Sequence, residues 1–244
     1  MSRKKYNNLL PETWTQGAAE YGFAVREELS DTVFPNAWRN IILSRAPSKK
    51  VLRILDVGTG PGFFPIILAQ AGHDVCGLDF SSGMLEIARS NADDAGVSPR
   101  FILGDSFSAL LEPNSFDLIL SRMLTWVLPD PIAVYKRWFD LLAPSGRLMI
   151  FDSNKFDTDT KHEEAFLPTK TTEDPESYLD PDGELLLCHV LRPDWDEKAL
   201  AEIGFDAISS ERNICAGIWD EKNPLYGKYR LFLVSAEKPV SLQA

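Results

Sequence analysis

Cysteine is scarce in this sequence, and its three copies stand far apart. Cys76, Cys188 and Cys215 are an odd number, and no two of them form a Cys-x-x-Cys pair. This pattern argues against a disulfide framework and against a zinc site, and it is typical of proteins kept in a reducing cytosol. We therefore predict a cytoplasmic protein with no bound metal.

Long apolar runs and an excess of basic residues are also missing. No run approaches the roughly 20 apolar residues that span a bilayer. The basic, polar start at residues 1–8 has no signal-peptide core behind it. Lys and Arg number 25 against 36 Asp and Glu, which gives a net charge of −11. Because phosphate backbones are bound by faces rich in Lys and Arg, we expect neither a nucleic acid nor a membrane as partner.

The most informative pattern in the chain lies at residues 51–79. A short apolar run that contains Asp56 indicates a buried parallel strand, and a glycine-rich loop follows it directly. Residues 63–71 then favour a helix, and residues 75–79 favour a second short strand that ends in Asp79. A strand, glycine loop, helix and strand closed by an acid form the frame of an adenosine-binding site. In such a site Asp79 can accept two hydrogen bonds from a ribose diol.

The spacing of the glycines separates two ligand classes. A dinucleotide fingerprint that begins at Gly58 needs a glycine at position 63, where this chain has Phe63. The chain instead reads Asp56-x-Gly58-x-Gly60-x-Gly62. Its acid would be unhelpful beside a phosphate but useful beside the ammonium group of a methionine. This loop resembles that of the class I S-adenosylmethionine-dependent methyltransferases; the alternatives are a dinucleotide site and a glycine turn that binds nothing.

The resemblance implies a fold for the whole chain. This is an α/β, Rossmann-like sheet of seven mostly parallel strands, with helices on both faces and an antiparallel last strand. Residues 130–152 resemble the ubiquinone- and menaquinone-biosynthesis branch of the family, from Asp-Pro through Tyr-Lys-Arg-Trp to Arg-Leu-Met-Ile-Phe-Asp. We divide the chain into a helical N-terminal cap at 1–50, a cofactor-binding core at 51–152, a lid insertion at 153–192 and the rest of the core at 193–244.

The resemblance also indicates which residues bind S-adenosylmethionine. It assigns Asp105 to the adenine amino group and the backbone N–H of Ser106 to a ring nitrogen, although Asp105 could equally cap a helix. Trp14 and Tyr21 share one face of a predicted N-terminal helix, where they either offer the sulfonium an aromatic face or simply cover the end of the sheet. The expected cofactor set is Asp56, Gly58, Thr59, Gly60, Gly62, Asp79, Phe80, Asp105, Ser106, Ser121, Trp14 and Tyr21.

The methyl acceptor is the least defined part of this site. No Asn-Pro-Pro-Tyr or Asp-Pro-Pro-Tyr follows the fourth predicted strand, which argues against the enzymes that methylate adenine or glutamine nitrogens. Met123 and Trp126 are the expected pocket residues, with Trp126 alternatively part of the core. The candidate catalytic groups are Arg122, His162 and His189, and no required base can be identified.

These observations predict an enzyme that transfers the sulfonium methyl group of S-adenosylmethionine to a small-molecule acceptor by in-line displacement. The alternative from another class is a domain that binds S-adenosylmethionine or its demethylated product without catalysis. A nicotinamide-dependent oxidoreductase is disfavoured by Phe63 and Asp56.

Overall fold

The computed structural model of the chain describes residues 10–154, 187, 190–218 and 230–240, and these ranges hold six α-helices and seven β-strands. The helices are α1 (Leu10–Ser30), α2 (Val33–Leu43), α3 (Phe63–Gln70), α4 (Ser82–Asp94), α5 (Pro131–Leu141) and α6 (Asp194–Ile203). The strands are β1 (Arg53–Val57), β2 (Asp74–Asp79), β3 (Arg100–Leu103), β4 (Phe116–Arg122), β5 (Leu142–Asp152), β6 (Asp206–Glu211) and β7 (Phe232–Glu237). Short 3₁₀ helices occupy Thr125–Val127 and Cys215–Gly217.

The strands form one sheet in the order β3-β2-β1-β4-β5-β7-β6. The first five strands in this order run parallel to one another, whereas β7 lies antiparallel to both β5 and β6. The predicted seven-stranded, mostly parallel sheet with an antiparallel last strand is confirmed. The strand order reverses between β1 and β4, and ligands of such sheets bind in the crevice beyond the carboxyl ends of these strands.

Helices cover both faces of the sheet, which explains why its central strands are apolar. In β4 every residue except Arg122 is buried. One face packs against α1, α2 and α3 through a cluster that includes Trp38 and Phe64. The other face packs against α5 and α6 through a cluster that includes Trp138 and Leu200. The sheet is therefore the middle layer of three, with a layer of helices on each face.

The ends of the helices follow the capping residues in the sequence. Ser81 precedes α4 and its hydroxyl accepts a hydrogen bond from the Met84 N–H at 3.2 Å. Asp130 precedes α5 and accepts from the Ala133 N–H at 2.9 Å. Gly204 ends α6 with a φ of 108°, a left-handed conformation that suits glycine. Serine and aspartate before a helix and glycine after one are the residue types that favour these cap positions.

Strand β5 begins earlier than the sequence indicated. Residues 143–146, Ala-Pro-Ser-Gly, have the composition of a turn between α5 and the strand, but the strand already starts at Leu142. The reason is hydrogen bonding to the end of β7: the Ser145 N–H donates to the Lys238 carbonyl, and the Lys238 N–H donates to the Gly146 carbonyl, both at 2.9 Å. Backbone pairing thus keeps this segment extended.

Most of the predicted lid lies outside the described residues. Of residues 153–192, the structure describes 153–154, 187 and 190–192. The candidate bases His162 and His189 both fall in the remainder. No helix in the described part of the chain is long and apolar enough to cross a membrane.

Candidate functional site

The glycine loop between β1 and α3 is held by backbone contacts that only glycines permit. Gly58, Gly60 and Gly62 have φ angles of 70°, 52° and 89°, in the left-handed region that side chains disfavour. The N–H groups of Gly58 and Thr59 both donate to the Leu78 carbonyl, at 2.8 and 3.0 Å. The loop is therefore fastened to the end of β2, where Asp79 follows Leu78.

The three glycines differ in what surrounds them. A Cβ on Gly58 would stand 2.8 Å from the Leu124 side chain, and one on Gly62 would stand 3.1 Å from Ala88. A Cβ on Gly60 would meet no protein atom within 4 Å. Gly58 and Gly62 are thus needed for packing, whereas Gly60 borders open space on the cavity side of the loop.

Asp79 links the end of β2 to this loop. One carboxylate oxygen accepts the Gly60 N–H at 2.8 Å, and the other accepts the Ser81 N–H at 2.9 Å. The side chain is buried, and burial raises its pKa above the ordinary value, while the backbone N–H donors oppose the shift. A carboxylate has about four lone-pair sites, so this one retains the capacity to accept further hydrogen bonds.

Asp56 lies on the other side of the loop, near the end of β1, and is 3% exposed. Its carboxyl accepts a hydrogen bond from the Thr59 hydroxyl at 2.6 Å. Burial raises the pKa of Asp56 to about 7, against the opposing effects of the Thr59 bond and of the Arg122 charge. A cation placed beside this carboxyl would favour its charged form.

A cavity opens over the loop at the carboxyl ends of β1, β2 and β4. Of the predicted site residues, Asp56, Gly58, Thr59, Gly60, Asp79, Phe80, Trp14, Tyr21, Arg122, Met123 and Trp126 line it. The Trp14 and Tyr21 rings contact each other, with centroids 5.4 Å apart. Trp126 is only 4% exposed, and its indole N–H donates to the Met123 carbonyl at 3.1 Å. Its two expected roles, pocket wall and core, therefore coincide.

Helix α1 reaches the cavity because two glycines let it approach α4 closely. A Cβ on Gly22 of α1 would stand 2.7 Å from the Ile87 side chain, and one on Gly83 of α4 would stand 2.9 Å from Thr15. The Thr15 and Ser81 hydroxyls share a hydrogen bond of 2.8 Å at the same contact. This packing holds the aromatic face of α1 over the glycine loop.

An ion pair inside the cavity joins α1 to the end of β4. Arg122 donates to the Glu28 carboxylate at 3.1 Å, and both side chains are about one fifth exposed. The guanidinium also lies over aromatic rings, 4.7 Å from the centre of Phe63 and 5.3 Å from that of Phe64. Sequence reasoning missed Glu28, although Trp14, Tyr21 and Glu28 recur every seventh residue and so share one helix face.

Four predicted cofactor residues lie away from the cavity wall. The Asp105 carboxylate accepts the backbone N–H groups of Phe107 and Ser108 at 2.8 and 3.0 Å. These bonds close a turn at residues 106–108, and no helix begins there, so the alternative prediction of a helix cap is wrong. Ser121 is fully buried, and its hydroxyl has no hydrogen-bond partner in the described part of the chain. Neither these two residues nor Ser106 is among the described residues that line the cavity. Gly62 also stands behind the wall, packed on α4.

No group of three or more His, Cys, Asp or Glu residues with the geometry of a metal site occurs within the described ranges. The polar groups of the cavity are instead arranged around the glycine loop.

The strand order, the acid-glycine loop and the acid at the end of β2 define the class of the protein. They are those of the class I S-adenosylmethionine-dependent methyltransferase fold. Residues 48–215 match the family described as "Methyltransferase domain", and the chain belongs to this family.

Individual relatives agree with this assignment. The demethylmenaquinone methyltransferase of Thermus thermophilus is 31% identical over 117 residues, which cover 47% of this chain and 53% of that protein. The demethylmenaquinone methyltransferase of Renibacterium salmoninarum is 27% identical over 74% of this chain and 77% of that protein. The chain thus spans about half the length of the first of these relatives.

A solved structure shows the same fold. The S-adenosylmethionine-dependent methyltransferase from Mesorhizobium loti superposes with a TM-score of 0.62 over 82% of this chain and 97% of that one, at 23% identity. Helix α1 lies before residue 48, so the aromatic cap and Glu28 come from outside the segment that matches the family.

S-adenosylmethionine is the cofactor of this protein class, and the cavity fits it. The open space beside Gly60 leaves room for a ligand to approach bare backbone. Asp79 has lone pairs left for a ribose diol, and Asp56 offers a carboxyl for an ammonium group. The donor and acceptor groups present thus match the two ends of the cofactor.

Proposed function

We propose that this chain catalyses methyl transfer from S-adenosylmethionine to a small-molecule acceptor. The observation that carries the proposal is the single cavity wall shared by the acid-glycine loop and by apolar and aromatic side chains. A cofactor held at the loop would present its reactive group toward that wall. The division into cap, core and lid stays a prediction.

The chain's own residues have positioning roles in this proposal. Asp79 holds the ribose diol, Asp56 holds the ammonium group of the methionine end, and Gly60 permits the close approach of both to the backbone. Trp14 and Tyr21 cover the site from α1. Phe80 follows Asp79 and also lines the cavity.

The chemistry needs little else from the protein. The bound cofactor supplies an electrophilic methyl group on a sulfonium, whose carbon–sulfur bond electrons remain on sulfur. The protein aligns the acceptor with that group and excludes water, and alignment alone can lower the barrier by about 7–11 kcal/mol in well-oriented systems. A buried, aromatic-walled cavity favours both effects.

The lining of the cavity supports a small, largely apolar acceptor. Apolar side chains of the segment after β4 line the cavity, namely Met123, Leu124, Trp126 and Val127. Demethylmenaquinone, which the names of both relatives carry, is a small-molecule quinone with this apolar character. The charge of −11 further supports a metabolite over a nucleic acid.

Two measurements test this function. Calorimetry should show S-adenosylhomocysteine binding and NADH failing to bind. Methyl-labelled S-adenosylmethionine, incubated with the protein and an extracted metabolite pool, should transfer label into the small-molecule fraction and not into bulk RNA or DNA. Tighter binding of NADH would contradict the cofactor assignment, and cofactor binding without any transfer would favour a non-catalytic binding domain.

A further inference from the structure

Four acidic or basic side chains line the described part of the cavity, and two of them, Asp56 in β1 and Asp79 at the end of β2, contact the glycine loop. Asp56 and Asp79 bond to Thr59 and Gly60 of that loop. The other two, Glu28 of α1 and Arg122 of β4, pair with each other on the cavity wall. A mostly apolar pocket uses a few fixed polar groups to orient its ligand, and this pair has no task in holding the loop.

The pair is held in place by its contacts, and both side chains retain hydrogen-bonding capacity for a ligand. Arg122 rests on the Phe63 and Phe64 rings and bonds Glu28 through one of its five N–H groups. Neither side chain makes another hydrogen bond to a described residue. Each is about one fifth exposed, and both face the cavity. A ligand there meets a cationic donor and an anionic acceptor side by side.

Such a pair discriminates between ligand groups by their hydrogen-bonding capacity. A hydroxyl can donate to the carboxylate and accept from the guanidinium at the same time. A ligand carboxylate can only accept, and it would be repelled by Glu28. A ligand ammonium can only donate, and it would be repelled by Arg122. The pair therefore favours a neutral group that does both.

We propose that Glu28 and Arg122 are the specificity-determining pair for the methyl acceptor, and that they select an apolar molecule through a neutral hydroxyl group. This inference rests on the proposed function and adds the substrate class. Its anionic half comes from α1, outside the segment that matches the family, so acceptor choice depends on the N-terminal helix as well as on the core.

Three probes that share one ring system test the proposal: 2-naphthol, 2-naphthoate and protonated 2-naphthylmethylamine. Their affinities are measured by calorimetry with S-adenosylhomocysteine present. The wild-type chain should bind 2-naphthol at least about tenfold more tightly than the two charged probes, because only the hydroxyl satisfies both partners.

Single substitutions should change which probe binds most tightly, toward the anion in one variant and toward the cation in the other. Glu28→Gln leaves the guanidinium without its anion and should make 2-naphthoate the best ligand. Arg122→Gln leaves the carboxylate alone and should make 2-naphthylmethylamine the best ligand. The double variant should lose all charge preference. A purely structural role would lower the three affinities together, so the exchange of rank is the decisive result.

The affinity for S-adenosylhomocysteine is measured in the same variants, and in Glu28→Gln it should stay within about threefold of wild type. In Arg122→Gln a loss of up to about tenfold is expected at neutral pH, because the Arg122 charge opposes the raised pKa of Asp56. A loss beyond about tenfold in Arg122→Gln would instead assign the guanidinium to the carboxylate of the cofactor and overturn the proposal. An unchanged rank order of the naphthalene probes would also overturn it. Failure of the wild-type chain to bind S-adenosylhomocysteine would be a different result, since it refutes the proposed function itself.

Discussion

The Asp56 carboxyl is buried, lines the cavity and has a pKa raised to about 7. An ammonium group bound beside it would lower that pKa, so binding near pH 6 must release a proton. As the pH increases toward 7, the affinity for S-adenosylhomocysteine should therefore increase by up to about tenfold per pH unit. Above pH 7 the affinity should no longer change with pH. Calorimetry between pH 5.5 and 8 measures this slope.

Two controls isolate the contribution of Asp56. The ligand 5′-methylthioadenosine keeps the ribose that Asp79 would bind but lacks the ammonium group, so its affinity should not share the Asp56 slope. The Asp56→Asn side chain cannot titrate, so in this variant the affinities of the two ligands should depend on pH in the same way. An equal pH dependence for both ligands in the wild-type chain would contradict the assignment of Asp56 to the ammonium.

Gly60 offers a second test at the level of one residue, with a matched control in the same chain. Gly60 and Gly72 both have positive φ, and a Cβ on either would meet no protein atom within 4 Å. Alanine at either position should cost about 1–2 kcal/mol of stability through backbone strain alone. Only Gly60 borders the cavity, so Gly60→Ala should also weaken S-adenosylhomocysteine binding more than about tenfold.

Urea unfolding and calorimetry on both glycine variants separate these effects. Equal affinity of Gly60→Ala and Gly72→Ala for S-adenosylhomocysteine would show that the ligand does not approach the Gly60 backbone. The stability change serves as the internal standard for strain.

Among the elements, α1 should govern the site through its close packing on α4. Gly22 has no room for a side chain against Ile87, so Gly22→Val should push the helix away from α4. Trp14 and Tyr21 would move with it, and we expect S-adenosylhomocysteine binding to weaken about tenfold or more. Ala19→Val adds a β-branched side chain at an exposed position of the same helix and should leave binding within about twofold. Similar affinities for the two variants would contradict a role of α1 in the cavity.

The elements also mark how far the sequence alone could lead. The strands, the glycine loop and the caps Ser81 and Asp130 are short-range patterns, and the structure contains them as expected. Asp105 could not be decided, because a capping acid and a ligand-binding acid occupy the same position after a strand. Glu28 was missed because its partner Arg122 stands 94 residues away. Pairing over such a distance leaves no local signal beyond the seven-residue spacing on α1.

The early start of β5 also depends on a contact between residues that are far apart in the sequence. Ala-Pro-Ser-Gly reads as a turn, and only the backbone of Lys238, at the far end of the chain, keeps it extended. Local propensity gave way to tertiary hydrogen bonds at this site. The antiparallel last strand was predicted from the family resemblance and not from a local sequence pattern.

Across the whole molecule, one buried network joins segments that are remote in sequence. Arg192 is fully buried and bonds both Asp152, at the end of β5, and Asp196, in α6, at 2.8–2.9 Å. It also donates to Thr125 at 2.6 Å, and Tyr135 of α5 donates to Asp196 at 2.6 Å. Thr125 opens the helical turn whose next two residues, Trp126 and Val127, line the cavity. The stability of the fold and the shape of that wall are therefore coupled.

Removing the cation of this network should unfold the protein more readily than removing an exposed one of the same type. Arg192→Met leaves two buried carboxylates without their shared partner, which should lower the free energy of unfolding by about 3–5 kcal/mol. Arg212→Met breaks an ion pair with Asp194 whose side chains are 62% and 41% exposed, and exposed pairs contribute less than about 1 kcal/mol. Urea unfolding of both variants at neutral pH measures the difference.

Because Thr125 loses a donor in Arg192→Met alone, 2-naphthol binding should weaken in that variant and not in Arg212→Met. Equal stabilities would mean that the buried carboxylates find other partners, and the coupling between the network and the cavity wall would then be absent.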